Sequence, residues 1–290
     1  MAEHLPAGRA LVLGGGGLSG IAWETGVLAG LAAGGADVTA ADYVLGTSAG
    51  ATVAAQLGSG LPLTDLLGRQ TIPERQSAEL TPDIERVIEV MESWEKLPEL
   101  FPDPAVLRRV IGERALQAET VPEAERRAVI AGRLPRHSWP SRKLAVVAVE
   151  AHTGDVRVLD RDSGADLVDA VAASCAIPGI WPPVTIGRGR YIDGGTRSAL
   201  NADLAAGYQR VLILAPMTHQ AREEQVAGLA QGEEAGAVQV QVLAPDDACV
   251  AAMGINPLDP AVRAPVARAG YAQGQRAAAG VARLWQQPGR

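Results

Sequence analysis

The chain has 290 residues, with 26 Lys and Arg against 33 Asp and Glu, a formal net charge of −7 and 47% hydrophobic residues. This composition excludes a disordered chain and suits one large domain, spanning 1–290, with ample core. The acidic balance argues against nucleic acid as a partner, because a phosphate-binding surface needs net positive patches.

Met1–Arg9 lacks the basic start and apolar stretch of a signal peptide, and no run of about 18 apolar residues exists to span a membrane. Together these point to a cytoplasmic location, with at most a peripheral membrane contact. Cys175 and Cys249 form no CxxC pair, so neither a zinc site nor a disulfide framework is expected. No metal or cofactor is expected.

Ala10–Leu13 is a short apolar run ending in glycines, which predicts a buried parallel strand. A helical pattern follows over 20–33, then a strand at 43–45 and a helix at 49–57. Strand–helix–strand–helix is the pattern of an α/β protein with a parallel sheet. Residues from about 61 to 140 are charge-rich and strand-poor, and read as a helical insertion. Thr81 with Pro82, Asp103 with Pro104, and Thr120 to Glu123 look like helix starts. The strand pattern resumes at 144–149, with a hairpin to 156–159. A helix of small residues follows at 166–176, then a second hairpin, 184–186 with 190–192. Strands are predicted at 210–214 and 238–243, and a closing helix over about 260–286.

Three constellations carry chemistry. The first is Gly14-Gly15-Gly16-Gly17-Leu18-Ser19-Gly20, between a strand and a helix. Its N–H groups, beside the positive end of a helix dipole, suit an anion. It reads equally as a dinucleotide fingerprint with Asp37 or Asp42 as the ribose acid, as an oxyanion hole, or as a tight packing turn. The second is Gly46-Thr47-Ser48-Ala49-Gly50. A G-x-S-x-G elbow at a strand–helix junction exposes its serine hydroxyl on a sharp turn; the plain alternative is a serine that caps the helix. The third is Asp193-Gly194-Gly195, which alone is a turn and together with Ser48 offers a general base. Of the histidines His4, His137, His152 and His219, only His219 follows Asp193 beyond a strand end, in the Ser, Asp, His order of an esterase triad.

These motifs, in this order, resemble the patatin-like phospholipases. Ala173-Ser174-Cys175-Ala176-Ile177-Pro178 and Asn201-Ala202-Asp203 support the likeness, which covers about 9–60 and 144–216. The resemblance implies a three-layer α/β/α fold with a mainly parallel central sheet and a helical insertion. It implies an acyl-ester hydrolase of lipid substrates working through a Ser48–Asp193 dyad. Gly15, Gly16 and Gly17 would form the oxyanion hole, with Gly20, Gly46, Gly50, Gly194 and Gly195 supporting the turns. The family usually carries Arg or Lys where this chain has Ser19. A non-catalytic lipid-binding scaffold and a Ser-Asp-His esterase using His219 are the competing readings. Trp94, Leu97, Leu100 and Phe101 in the insertion could contact a lipid surface, although packing of a helix onto the core is the favoured reading.

Overall fold

The computed structural model describes residues 8–217, 228–229 and 238–286. β1 (Arg9–Leu13), α1 (Gly17–Ala33), β2 (Tyr43–Thr47) and α2 (Ala49–Gly58) alternate as the apolar runs and glycine breaks dictate. The insertion holds α3 (Leu63–Thr71), α4 (Ile84–Leu100), α5 (Pro104–Gln117) and α6 (Glu123–Arg133), and no strand. Then come β3 (Leu144–Glu150), β4 (Val156–Leu159), α7 (Leu167–Ser174), β5 (Val184–Ile186) and β6 (Gly189–Asp193). β7 (Arg210–Leu214), β8 (Gln239–Leu243), α8 (Asp247–Met253) and α9 (Arg263–Gln286) follow.

The strands form one sheet in the order β5-β6-β3-β2-β1-β7-β8, with β4 also paired to β3. β3, β2, β1, β7 and β8 run parallel to one another, whereas β4 and β6 pair antiparallel with β3, and β5 antiparallel with β6. The sheet is therefore mixed, parallel only in its larger part. Val147 pairs with Thr47 of β2 and with Val158 of β4, while Ala148 pairs with Arg157 of β4 and with Asp193 of β6. A strand has two edges, so β4 takes one, and β2 and β6 follow each other along the other. This succession places the end of β2 beside the end of β6.

Successive side chains alternate between two cores, as the strand period requires. Leu11, Leu13, Val44, Val146 and Leu212 pack under α1, α2, α7 and α9, with Trp23, Val27, Val53, Val171 and Val266. On the opposite face Val12, Leu45, Val147 and Ile213 meet Leu200, Ala202 and Ala205, and Val149 and Ile192 meet Leu97 and Ile111 of α4 and α5. α1 is buried along most of its length and crosses α9 at backbone distance: a Cβ on Gly30 would stand 2.1 Å from the Tyr271 carbonyl oxygen.

Helix starts agree with the sequence in part. Asp103 caps α5, accepting from the amides of Ala105 and Val106, with Pro104 in the first turn. α4 is capped by Asp83, which accepts from the Glu85 amide at 2.9 Å, and not by Thr81. Asp is the stronger cap, and it starts the helix where Val87 and Val90 turn inward. Leu97 is buried and Trp94 and Phe101 pack against it, leaving Leu100 exposed; the packing reading of this helix is the one observed. No helix among the described residues is long and apolar enough to cross a membrane.

Candidate active site

The turn between β2 and α2 is sharp. Ser48 has φ 53 and ψ −110, in the left-handed half of backbone space that non-glycine residues seldom adopt. The residues two before and two after it must be glycines. A Cβ on Gly50 would lie 2.0 Å from the Leu13 carbonyl oxygen, and one on Gly46 would lie 2.5 Å from the Gly50 oxygen. The Gly50 amide donates to the Gly14 oxygen at 2.9 Å, binding the elbow to the glycine loop. Although Ser48 stands at the helix cap, its side chain makes no capping hydrogen bond, so the hydroxyl is not consumed by local structure.

Residues far along the chain hold this turn. The Ser48 amide donates to Ser174 Oγ at 2.9 Å, and that hydroxyl donates to the Val147 oxygen at 2.6 Å. Cys175 Sγ donates to the Ser48 oxygen at 3.2 Å. Both backbone groups of the serine are thereby fixed by the C-terminal end of α7 and the residue after it.

Asp193 ends β6 and is 4% exposed. Its Oδ1 accepts from the Gly195 amide at 2.7 Å. Its Oδ2 has no partner that meets hydrogen-bond geometry among the described residues. Burial raises its pKa to about 7, with the Ser48 side chain and the Gly195 amide as the polar neighbours that work against the rise. A carboxyl that releases its proton near neutrality, next to a serine hydroxyl, can serve as a general base. Gly194 must lack a side chain, since a Cβ would stand 2.4 Å from the Val147 oxygen.

The glycine loop divides into structural and open amides. Gly14 donates to the Leu214 oxygen at 3.0 Å and Gly15 to the Ala199 oxygen at 2.8 Å, so both are engaged. The Gly16 and Gly17 amides have no internal acceptor among the described residues and stand at the start of α1, where a negative charge is favoured. Of the three amides expected to face an oxyanion, Gly16 and Gly17 are therefore the available donors, and Gly15 anchors the loop. Gly20 lies where its Cβ would come 3.0 Å from that of Ala49, joining α1 to α2. Ser19 Oγ donates to the Gly16 oxygen at 3.0 Å.

A small cavity of ≈ 10 Å³, about the space of one water, lies against Ser48, Ala49, Gly17, Arg126 and Trp181. A larger cavity, ≈ 940 Å³, lies around the C-terminal end of α1, at Ala33, Asp37, Thr64 and Arg142, away from the serine.

The dinucleotide reading of the loop is not supported. A ribose-binding acid belongs at the carboxyl end of the second strand, whereas Asp42 precedes β2 and accepts from the Arg9 amide at 2.7 Å, and Asp37 accepts from Thr39. His137 and His152 are exposed and line no part of the Ser48 cavity. His4 and His219 lie outside the described residues.

Sequence reasoning did not assign three residues that shape this site. Ser174 and Asn201 lay within stretches already noted as motif-like, but their roles depend on contacts over more than a hundred residues. Asn201, buried and left-handed at φ 49, donates to Thr47 Oγ1 at 3.1 Å and to the Gly194 oxygen at 3.2 Å. Glu24 of α1 is fully buried; burial pushes its pKa well above the carboxylate range, offset in part by the Gly14 amide.

No curated protein matches the sequence. Among solved structures, VipD from Legionella pneumophila is similar with a TM-score of 0.47 and 15% identity, over 95% of this chain and 67% of that one. The type III effector protein ExoU is similar with a TM-score of 0.40 and 16% identity, over 93% of this chain and 53% of that one. The family model for patatin-like phospholipases matches residues 11–206, from β1 past Asp193, about two thirds of the chain. The chain belongs to the patatin-like phospholipase family.

Proposed function

We propose that this protein is a serine acyl-ester hydrolase of lipid substrates, with Ser48 as nucleophile and Asp193 as general base. One observation carries the reading: a serine in a strained turn, its hydroxyl uncommitted, sits beside a buried carboxyl whose pKa is about 7. Asp193 takes the Ser48 proton as Oγ attacks the ester carbonyl. The tetrahedral oxyanion is received by the Gly16 and Gly17 amides. The alcohol departs with the proton from Asp193 and leaves an acyl-serine. Water, deprotonated by Asp193, then attacks that ester, releases the carboxylic acid and returns the proton to Ser48.

The substrate class follows from family membership together with a surface feature. Ile84, Ile88 and Met91, spaced at i, i+4 and i+7 on α4, are exposed, while Val87 and Val90 of the same helix pack with Trp181 and Leu258, which line the Ser48 cavity. An exposed apolar stripe on the helix whose other face packs against Trp181 and Leu258 suits transient contact with a lipid surface.

Intact mass after fluorophosphonate treatment tests the reading, with and without detergent micelles. Single labelling of wild type, lost in S48A and slowed at least tenfold in D193N, is expected. Absence of labelling in folded wild type under both conditions would favour the non-catalytic scaffold. Normal labelling in D193N would remove the dyad.

A further inference from the structure

Arg126 of α6 is 5% exposed, and its Nε and Nη1 are buried without a hydrogen-bond partner. No ion pair reaches it among the described residues. Its guanidinium stacks on the Trp181 indole with 3.8 Å to the ring centroid, and Trp181 Nε1 also lacks an acceptor. Arg126 and Trp181 line the cavity that Ser48, Gly17 and Cys175 line.

A buried cation is costly unless an anion accompanies it. The carboxylate nearest in influence is Glu79, and it is already committed. It accepts from Arg133 Nε at 3.0 Å and Nη2 at 2.6 Å and stands 4.0 Å from Arg263 Nη1. Arg133 and Arg263 thus share one carboxylate, and Arg126 has none. Burial and the neighbouring Arg133 lower its pKa to about 9, which leaves it protonated at neutral pH. The glycine loop from Gly14 to Gly20 brings no cation of its own. The positive charge at Ser48 arrives from the insertion.

We propose that Arg126, with the Trp181 indole N–H, is the subsite for a phosphate group on the acyl ester that Ser48 attacks, so that the site selects phosphate-bearing esters over neutral ones. The planar guanidinium fork matches two phosphate oxygens, and the indole donates to a third. The inference rests on the Ser48 hydrolase reading for its substrate, though not for the anion site itself. The ≈ 10 Å³ cavity holds no phosphate as it stands, so the stacked Arg126–Trp181 pair shifts when the group enters, and Trp181 emission reports it.

The test compares 1-octanoylglycerol 3-phosphate with 1-octanoylglycerol, which share acyl chain and scissile ester, in wild type, R126Q and R126K. R126Q is expected to lower the ratio of kcat/KM for the phosphate ester over the neutral ester about 10- to 100-fold, the range of one charge-assisted contact. R126K, keeping charge and losing the fork, falls between, and serves alone if R126Q does not fold. Glycerol 3-phosphate titrated into S48A and into S48A/R126Q, read by Trp emission and calorimetry, gives an arm independent of turnover. Saturable binding lost with Arg126 supports the anion site even if wild type hydrolyses neither ester, in which case the hydrolase reading alone fails. An unchanged ester ratio, or glycerol 3-phosphate binding that is absent or indifferent to Arg126, overturns the proposal.

Discussion

The side-chain amide of Asn201 donates to the Thr47 hydroxyl at 3.1 Å, joining the residue before Ser48 to a segment 154 positions away. The same amide reaches the Gly194 oxygen, directly after Asp193. Asn201 is thus a clamp between the two ends that must stay in register. N201A is expected to destabilise the fold by about 1–3 kcal/mol through unpaired buried groups, and to slow fluorophosphonate labelling at least tenfold. N201G accepts the left-handed backbone at φ 49 without strain yet lacks the clamp. Labelling rates that fall together in both variants would assign the effect to the side chain; recovery in N201G would assign it to the backbone.

The raised pKa of Asp193 gives turnover and stability opposite pH trends. As the proposed base, Asp193 must be ionised, so kcat/KM is expected to rise with pH through about 7 and level off above it. Folding runs the other way. The folded group holds its proton above the unfolded value of about 3.9, so its contribution to stability is full at low pH and is lost as pH rises through about 7. D193N keeps an acceptor for the Gly195 amide and never carries charge. Its melting temperature should exceed that of wild type at pH 8, with a smaller difference at pH 5, measured by calorimetry.

The elbow and loop glycines differ in what they tolerate. G50A forces a Cβ to 2.0 Å from the Leu13 oxygen and is expected to abolish the folded elbow. At Gly15 the nearest atom to a new Cβ is Ser48 Cβ at 3.5 Å, an ordinary contact. G15A should therefore fold with a wild-type circular dichroism spectrum while crowding the nucleophile and lowering kcat. Loss of fold in G15A would show that the loop has less room than its geometry indicates.

Glu79 neutralises a buried cluster. Removing its charge leaves Arg133 and Arg263, 7% and 5% exposed at the side chain, without a counter-ion. E79Q is expected to cost about 3–5 kcal/mol, visible as a lowered denaturation midpoint in guanidinium. An unchanged midpoint would mean that both arginines find water.

What was legible in the sequence was local. The β1–loop–α1 and β2–elbow–α2 units declare themselves because apolar runs stop at glycines that close contacts require. The turn at Gly187 places the second hairpin for a different reason, a left-handed backbone at φ 60 that favours glycine. Strand direction was not legible: alternation in Val184–Asp193 gives a strand and says nothing of its running antiparallel beside β3. Capping of α4 was misread at Thr81, because Asp83, two positions on, is the residue whose side chain meets a free amide. The partners of the turn, Ser174 and Asn201, and the stacked Arg126, were visible as residues and not as neighbours, because only the closed sheet brings them to Ser48.

The strained turn at Ser48 depends on hydrogen bonds with residues 126 and 127 positions later. During synthesis the G-x-S-x-G segment therefore leaves the ribosome long before Ser174 and Cys175 can fix its backbone, and Asp193 follows later still. A nascent or prematurely truncated chain carries the serine as an ordinary hydroxyl. On the proposed mechanism, reactivity therefore waits until α7 and β6 have closed on β3, which couples it to completion of the fold.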